Sequence, residues 1–253
     1  MASLKAAKRI YYDEGSIQLA KRTIQSIYNN YIRTLLPKRT VTYNEVSVEA
    51  GRVADSLIPW QTTDIPNYEG GLLRGIRKYV DDGDTVVVVG GGWGVSTVVA
   101  ARQAGSSGRV ITFEGSKEVV ETVEETVDKN QVGDRVSVQH AIVAQANSLR
   151  GDADGAQVIH PSGLPECDVL VLDCEGAELD IIEEMEIQPS ALIAETHGMF
   201  GATEQKVRSR LKGAGYTPVE RKRAEERLHE MCEKNGIYVL YSKLKPDETK
   251  TET

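Results

Sequence analysis

Three stretches of this chain place residues capable of chemistry at the ends of apolar runs. In the first, Val86, Val87, Val88 and Val89 run into Gly90, Gly91, Gly92, Trp93 and Gly94, and the apolar residues 95–101 follow. Four β-branched residues favour a strand, glycines permit positive φ without a Cβ in a ligand's way, and the next stretch carries a helical pattern. The free N–H groups opening that helix would face whatever occupies the turn. In the second stretch, Val169–Leu172 ends in Asp173 and continues as Cys174, Glu175, Gly176, Ala177 and Glu178. In the third, residues 191–194 end in Glu195, Thr196 and His197. A histidine at a strand end beside an acid is a candidate general base or substrate contact. His197 is the first choice for that catalytic role, with Asp173 and Glu195 behind it.

The glycine spacing narrows the ligand. A dinucleotide fingerprint needs G-x-G-x-x-G. Gly90 and Gly92 fit, but Val95 stands where the third glycine belongs and Gly94 comes one residue early. G-x-G-x-G suits a turn that cradles no pyrophosphate, as for S-adenosylmethionine. Glu114 ends the strand-like run 109–113, about 20 residues beyond the glycines, where an acid can accept both ribose hydroxyls. By itself Glu114 could be a solvated loop acid; together with the glycine turn, ribose binding is the better reading. The candidate cofactor set is Gly90, Gly91, Gly92, Gly94, Glu114, Gly115, Ala141 and Asp173. Asp173, Glu175, Glu178 and Glu195 are hard oxygen ligands, but each has a simpler role as helix cap or cofactor contact, so no metal is expected.

These residues need a sheet to hold them. Strands are expected at 86–89, 109–113, 135–139, 168–173 and 191–196, with helices near 95–104, 116–129, 176–186 and 203–214. Such alternation implies a parallel sheet covered on both faces, with ligands beyond the carboxyl ends of its strands. Residues 216–220 and 237–243 read as a final pair including an antiparallel edge. Upstream, apolar residues from Ile17 to Leu35 recur at helical spacing up to Pro37, residues 41–48 suggest a hairpin strand, and 67–80 reads as a helix. Residues 145–166 read as an unstructured connection and 244–253 as a disordered tail. The domain division is therefore 1–66 for the basic helical and hairpin region, 67–243 for the cofactor-binding domain, and 244–253 for the tail.

Charge is unevenly spread. The 253 residues carry a net charge of −8, yet residues 1–40 hold eight Lys and Arg against two acids, +6, which leaves −14 for the rest. An acidic body argues against nucleic acid as partner. The basic arm suits docking on the domain, a lid, a dimer contact or an anionic membrane surface. Cys167, Cys174 and Cys232 lack metal-ligand spacing and read as core residues of a reducing compartment. With no membrane-length apolar run and no leader pattern, the expected location is cytoplasmic, with peripheral membrane contact through residues 1–40 as an option.

Taken together, Val89–Gly94, Phe113-Glu114, Leu172–Glu178 and Glu195-Thr196-His197 resemble the successive motifs of FkbM-type, S-adenosylmethionine-dependent methyltransferases. D-x-E-G-A-E is the most specific of them, and the resemblance spans roughly residues 68–243. It implies a Rossmann-like class I methyltransferase fold: an α/β, mostly parallel seven-stranded sheet with helices on both faces, here with an N-terminal helical extension. It also implies methyl transfer to a hydroxyl, usually of a sugar or another secondary metabolite, so the expected acceptor is a small molecule or glycan, free or lipid-linked. Two positions depart from the pattern. Val88 stands where an acid contacting the cofactor's methionine part is usual, and Gly115 stands where proline is common. Two rival readings remain open: an NAD(P)-dependent oxidoreductase, disfavoured by Val95, and a non-catalytic protein on a cofactor fold, which Val88 keeps in play.

Overall fold

The computed structural model describes residues 23–57, 63–144, 153 and 155–246. They form two units, one of residues 23–40, 50–57 and 63, the other of 41–49 and the remainder.

The larger unit is built on an eight-stranded sheet. Its strands are β3 (Thr85–Val89), β4 (Arg109–Glu114), β5 (Val136–Val143), β6 (Gln157–Ile159), β7 (Val169–Leu172), β8 (Ala191–Glu195), β9 (Tyr216–Arg223) and β10 (Tyr238–Leu244). Their order is β6-β5-β4-β3-β7-β8-β10-β9. All neighbours are parallel except β10, which runs antiparallel to both β8 and β9. The chain starts at β3, builds outward through β4, β5 and β6, and then returns to the other side of β3 as β7. That reversal leaves a crevice beyond the carboxyl ends of β3, β4 and β7, where open α/β sheets bind ligands.

Burial follows position in the sheet. β7 and β8 are buried at every residue, as a strand covered on both faces must be, whereas the outer β5 alternates. Val87, Val89, Leu170 and Leu172 share one apolar cluster with Ile181, Ile182, Val207 and Leu211. Those last four belong to α4 (Glu178–Glu184) and α5 (Glu204–Gly213). Side chains alternate along a strand, so Val86 and Val88 face the other way, where α1 (Gly70–Tyr79), α2 (Val95–Gln103) and α3 (Lys117–Lys129) pack side by side. In α1, Leu72, Leu73, Ile76 and Tyr79 are buried while Arg74, Arg77 and Lys78 are exposed, one apolar stripe against the sheet. A short helix α6 (His229–Asn235) joins β9 to β10.

The sheet has eight strands rather than the seven expected. The added strand, β6, lies within 145–166, expected to be unstructured; residues 145–152 and 154 of that stretch lie outside the described residues. β6 is three residues long and its Val158 is 70 % exposed, so it carried no apolar alternation to read. β10 runs through Leu244, one residue into the expected tail, and residues 247–253 lie outside the described set.

In the smaller unit the expected continuous helix is interrupted. Residues 23–27 are α-helical, then Tyr28–Ile32 form a π-turn and Arg33–Leu35 a 3-10 turn; residues 17–22 lie outside the described set. The fully buried Asp55 accounts for the change of winding. Its carboxylate accepts the Tyr28 hydroxyl at 2.9 Å and Arg33 Nη2–H at 2.8 Å, and the i+5 spacing of a π-turn brings both residues to it. Arg33 holds the Asp55 carboxyl below its ordinary pKa although burial pushes the other way. Residues 41–48, expected as one strand of a hairpin, instead hold its turn: β1 (Lys38–Tyr43) and β2 (Val46–Arg52), whose residues 41–49 belong to the larger unit, pair around Asn44 and Glu45, both at positive φ.

Candidate active site

The strand tips enclose a cavity of about 490 Å³, within the usual range for small-molecule sites. Gly90, Gly92, Glu114, Gly115, Ala141, Asp173, Glu195 and His197 all line it. Gly91 and Gly94 do not; they shape the turn beneath.

Gly90 must be glycine. It sits at φ 101°, and a Cβ there would lie 1.9 Å from the Asp173 carbonyl oxygen. The turn thus brings the tips of β3 and β7 into contact. Gly94, at φ 77°, is the N-cap of α2. Glu114 closes the other side: its Oε2 accepts Gly91 N–H at 2.8 Å and its Oε1 accepts Ser116 N–H at 2.9 Å. A carboxylate has about four lone-pair sites, so each oxygen keeps capacity for a further donor.

Across the crevice, the D-C-E-G-A-E stretch turns sharply through Glu175 at φ 50° and Gly176 at φ 110°. Glu178 is fully buried at the start of α4. It accepts Cys174 N–H at 3.2 Å, Gly176 N–H at 2.9 Å and the His197 ring at 2.7 Å. A carboxylate holding two backbone N–H groups is itself an acceptor, so His197 Nδ1 carries the proton it donates. The imidazole therefore presents Nε2 to the other two acids, 3.5 Å from Asp173 Oδ1 and 3.6 Å from Glu195 Oε1. Thr196 anchors this tip: its N–H donates to the Tyr238 carbonyl at 2.7 Å and its hydroxyl to the Gly236 carbonyl at 2.8 Å.

Electrostatics follow from this packing. Burial alone would lower the His197 pKa, but the Glu178 hydrogen bond and the charges of Asp173, Glu178 and Glu175 outweigh it and hold it above its ordinary value. Burial drives the Glu195 carboxyl well up, and the neighbouring Asp173 and Glu69 charges add to the effect. The ligand atoms of Asp173, Glu195 and His197 lie within 4.8 Å of one another, the one group among the described residues able to converge on a metal ion. Cys174, at the cavity wall, has its thiol pushed well up by burial and by Glu178 and Asp173, so it offers no thiolate.

Sequence reasoning brought Gly90, Glu114, Asp173, Glu195 and His197 to one crevice. It placed Glu178 in a cap, which is half of its role; the other half, holding His197, depends on a contact 19 residues away. It did not single out Glu69 and Glu225, which line the same cavity from the N-cap of α1 and from two residues beyond β9.

With this geometry in place, likenesses to known proteins can be weighed. The family model for protein-L-isoaspartate(D-aspartate) O-methyltransferase matches residues 40–147. A ribosomal protein L11 methyltransferase from Bacillus cereus is 30% identical over 154 residues, 61% of this chain; the chain spans 44% of that relative's length. Among solved structures, an S-adenosylmethionine-dependent O-methyltransferase from Thermotoga maritima shares 17% identity at a TM-score of 0.51, covering 84% of this chain and 80% of its own. A ribosomal protein L11 methylase from Lactobacillus delbrueckii subsp. bulgaricus shares 16% identity at a TM-score of 0.49, over 74% of this chain and 89% of its own. The fold is that of a Rossmann-like methyltransferase, and the Thermotoga maritima protein that shares it is one that uses S-adenosylmethionine. The crevice fits that cofactor: a glycine cradle open above Gly92 and a carboxylate at the tip of β4 with lone pairs to spare.

Proposed function

We propose that this chain methylates a hydroxyl group of a sugar or related metabolite, as the FkbM-type resemblance implies, with residues 67–243 as the catalytic domain. The observation that carries the reading is His197 Nε2, aimed by Glu178 toward Asp173 and Glu195 on the rim opposite the glycine turn and Glu114. S-adenosylmethionine supplies an electrophilic methyl group on a sulfonium. The chain's residues do the rest. Glu114 holds the ribose hydroxyls, Gly90 and Gly92 let the backbone close on the nucleoside, and the apolar wall from Phe113, Ala141 and Phe200 excludes water. His197 Nε2 accepts the acceptor's hydroxyl proton as the oxygen–carbon bond forms, and Asp173 stabilises the imidazolium that results.

The lining also speaks to the acceptor. Six carboxylates (Glu69, Glu114, Asp173, Glu175, Glu195, Glu225) face this cavity and, among the described residues, no Lys or Arg does. A phosphate or carboxylate on the acceptor would meet six carboxylates with only the His197 ring as a cationic partner, which favours a neutral hydroxyl compound over nucleic acid or an acidic side chain. Met199, Leu228 and Met231 line the same cavity while 39–59 % exposed, an apolar rim suited to an acceptor with a greasy portion, a lipid-linked glycan included. Ile24, Ile27, Tyr31, Ile32 and Leu35 in the smaller unit are likewise exposed near Arg33, Lys38 and Arg39, which favours contact with an anionic membrane. Among the described residues no helix is long and apolar enough to cross one.

The test is methyl transfer from labelled S-adenosylmethionine to a glycan panel by wild type and His197→Ala. Turnover should fall about 10²- to 10⁴-fold in the variant with cofactor affinity nearly unchanged; an unchanged rate rejects His197 as the base. Anionic vesicles should pellet the full chain but not a version lacking residues 1–40; no pelleting at low salt removes the membrane contact.

A further inference from the structure

We infer that Glu69 and Glu225 form the seat for the ammonium group of the cofactor's amino-acid half, replacing the acid absent at Val88. The inference rests on the cofactor reading above and extends it to two residues that no motif marks.

Val88 cannot serve. It is fully buried inside β3, in register with Thr112 on one side and Val171 on the other, and carries no polar atom. S-adenosylmethionine brings a free ammonium, which has three N–H donors and no acceptor, and a buried ammonium needs acceptors of opposite charge. Elsewhere in the cavity, Glu114 accepts the Gly91 and Ser116 N–H groups, and Asp173 and Glu195 lie 3.5 and 3.6 Å from His197 Nε2.

Glu69 reaches the glycine turn. Its Oε1 lies 4.0 Å from the point a Cβ on Gly92 would occupy. Its backbone is left-handed at φ 47°, an uncommon state for a residue with a side chain. Such outliers persist where neighbours over-determine them, often around ligands. Here the neighbour is Glu225, whose Oε2 accepts Glu69 N–H at 2.9 Å, while Gly71 N–H donates to the Ala224 carbonyl at 3.0 Å.

Glu225 supplies an independent sign of a missing donor. It is 9 % exposed and lines the cavity, yet its Oε1 has no hydrogen-bond partner among the described residues. A carboxylate oxygen buried without a donor is costly and uncommon in a folded protein. An ammonium reaching this end of the cavity would satisfy it.

Calorimetry on the full chain separates this role from a structural one. The probes are S-adenosylhomocysteine, which keeps the ammonium, and 5′-methylthioadenosine, which has the same nucleoside and sulfur but no amino-acid half. Glu69→Gln and Glu225→Gln should each weaken S-adenosylhomocysteine roughly 10- to 100-fold and leave methylthioadenosine within about twofold; both variants keep an oxygen at each position and should melt near wild type. Glu114→Gln should weaken both probes. Equal losses for both probes in the Glu69 or Glu225 variants, or no loss in either, overturns the assignment. A wild-type protein that binds neither probe overturns the cofactor reading beneath it.

Discussion

At the scale of single residues, the account turns on which nitrogen of His197 faces the cavity. Glu178 decides this, because a carboxylate already accepting two backbone N–H groups can only accept a third. A pH dependence follows. The His197 pKa is raised above its ordinary 6.5, so the protonated ring contributes stability that is complete below that value and is lost as pH climbs through the raised one. Glu195, also raised, pushes stability the same way. The neutral ring that accepts a proton accumulates over that same window. Turnover should therefore rise, and thermal stability fall, as pH increases above about 6.5. A rate profile whose rising limb is complete below pH 6 would contradict the assignment. The residues read from sequence were those whose role needs only a strand end: Glu114, Asp173, Glu195 and His197. Glu178's hold on His197 and the Glu69–Glu225 contact, 156 residues apart in the chain, were illegible because they arise from loops meeting across the sheet.

Among the elements, the β3–α2 turn carries most of the constraint. Gly90 brings two strand tips within contact, and a methyl there meets the Asp173 carbonyl oxygen. Gly90→Ala should cost about 1–3 kcal/mol from backbone strain alone, lowering Tm by roughly 2–4 °C per kcal/mol, and should displace Asp173 enough to weaken S-adenosylhomocysteine binding. A variant that melts and binds like wild type would show that the turn is free to relax. The turn was legible because β-branched residues followed by glycines have few other solutions. The π-turn at Tyr28–Ile32 was not, because the Ile17–Leu35 pattern reads as an ordinary amphipathic helix until the buried Asp55 is known to pull Tyr28 and Arg33 together. β6 escaped for the opposite reason: an exposed edge strand of three residues needs no pattern at all.

Across the whole molecule, an order that reverses at β3 creates one crevice from strand ends scattered between residues 89 and 197. Alternation of strands and helices sufficed to predict that crevice; the last apolar runs suggested an antiparallel edge, and the antiparallel strand is β10, one place in from the edge strand β9. The acidic body of the chain shows itself locally, as a cavity bordered by six carboxylates that suits a sulfonium cofactor and an uncharged acceptor. The central claim is that this crevice takes a sulfonium nucleoside, and calorimetric titration with S-adenosylhomocysteine beside NADH tests it most directly. The account predicts one saturating site for S-adenosylhomocysteine, weakened in Glu114→Ala, and no comparable heat from NADH. Absent binding of S-adenosylhomocysteine, or NADH binding as tightly, would contradict it.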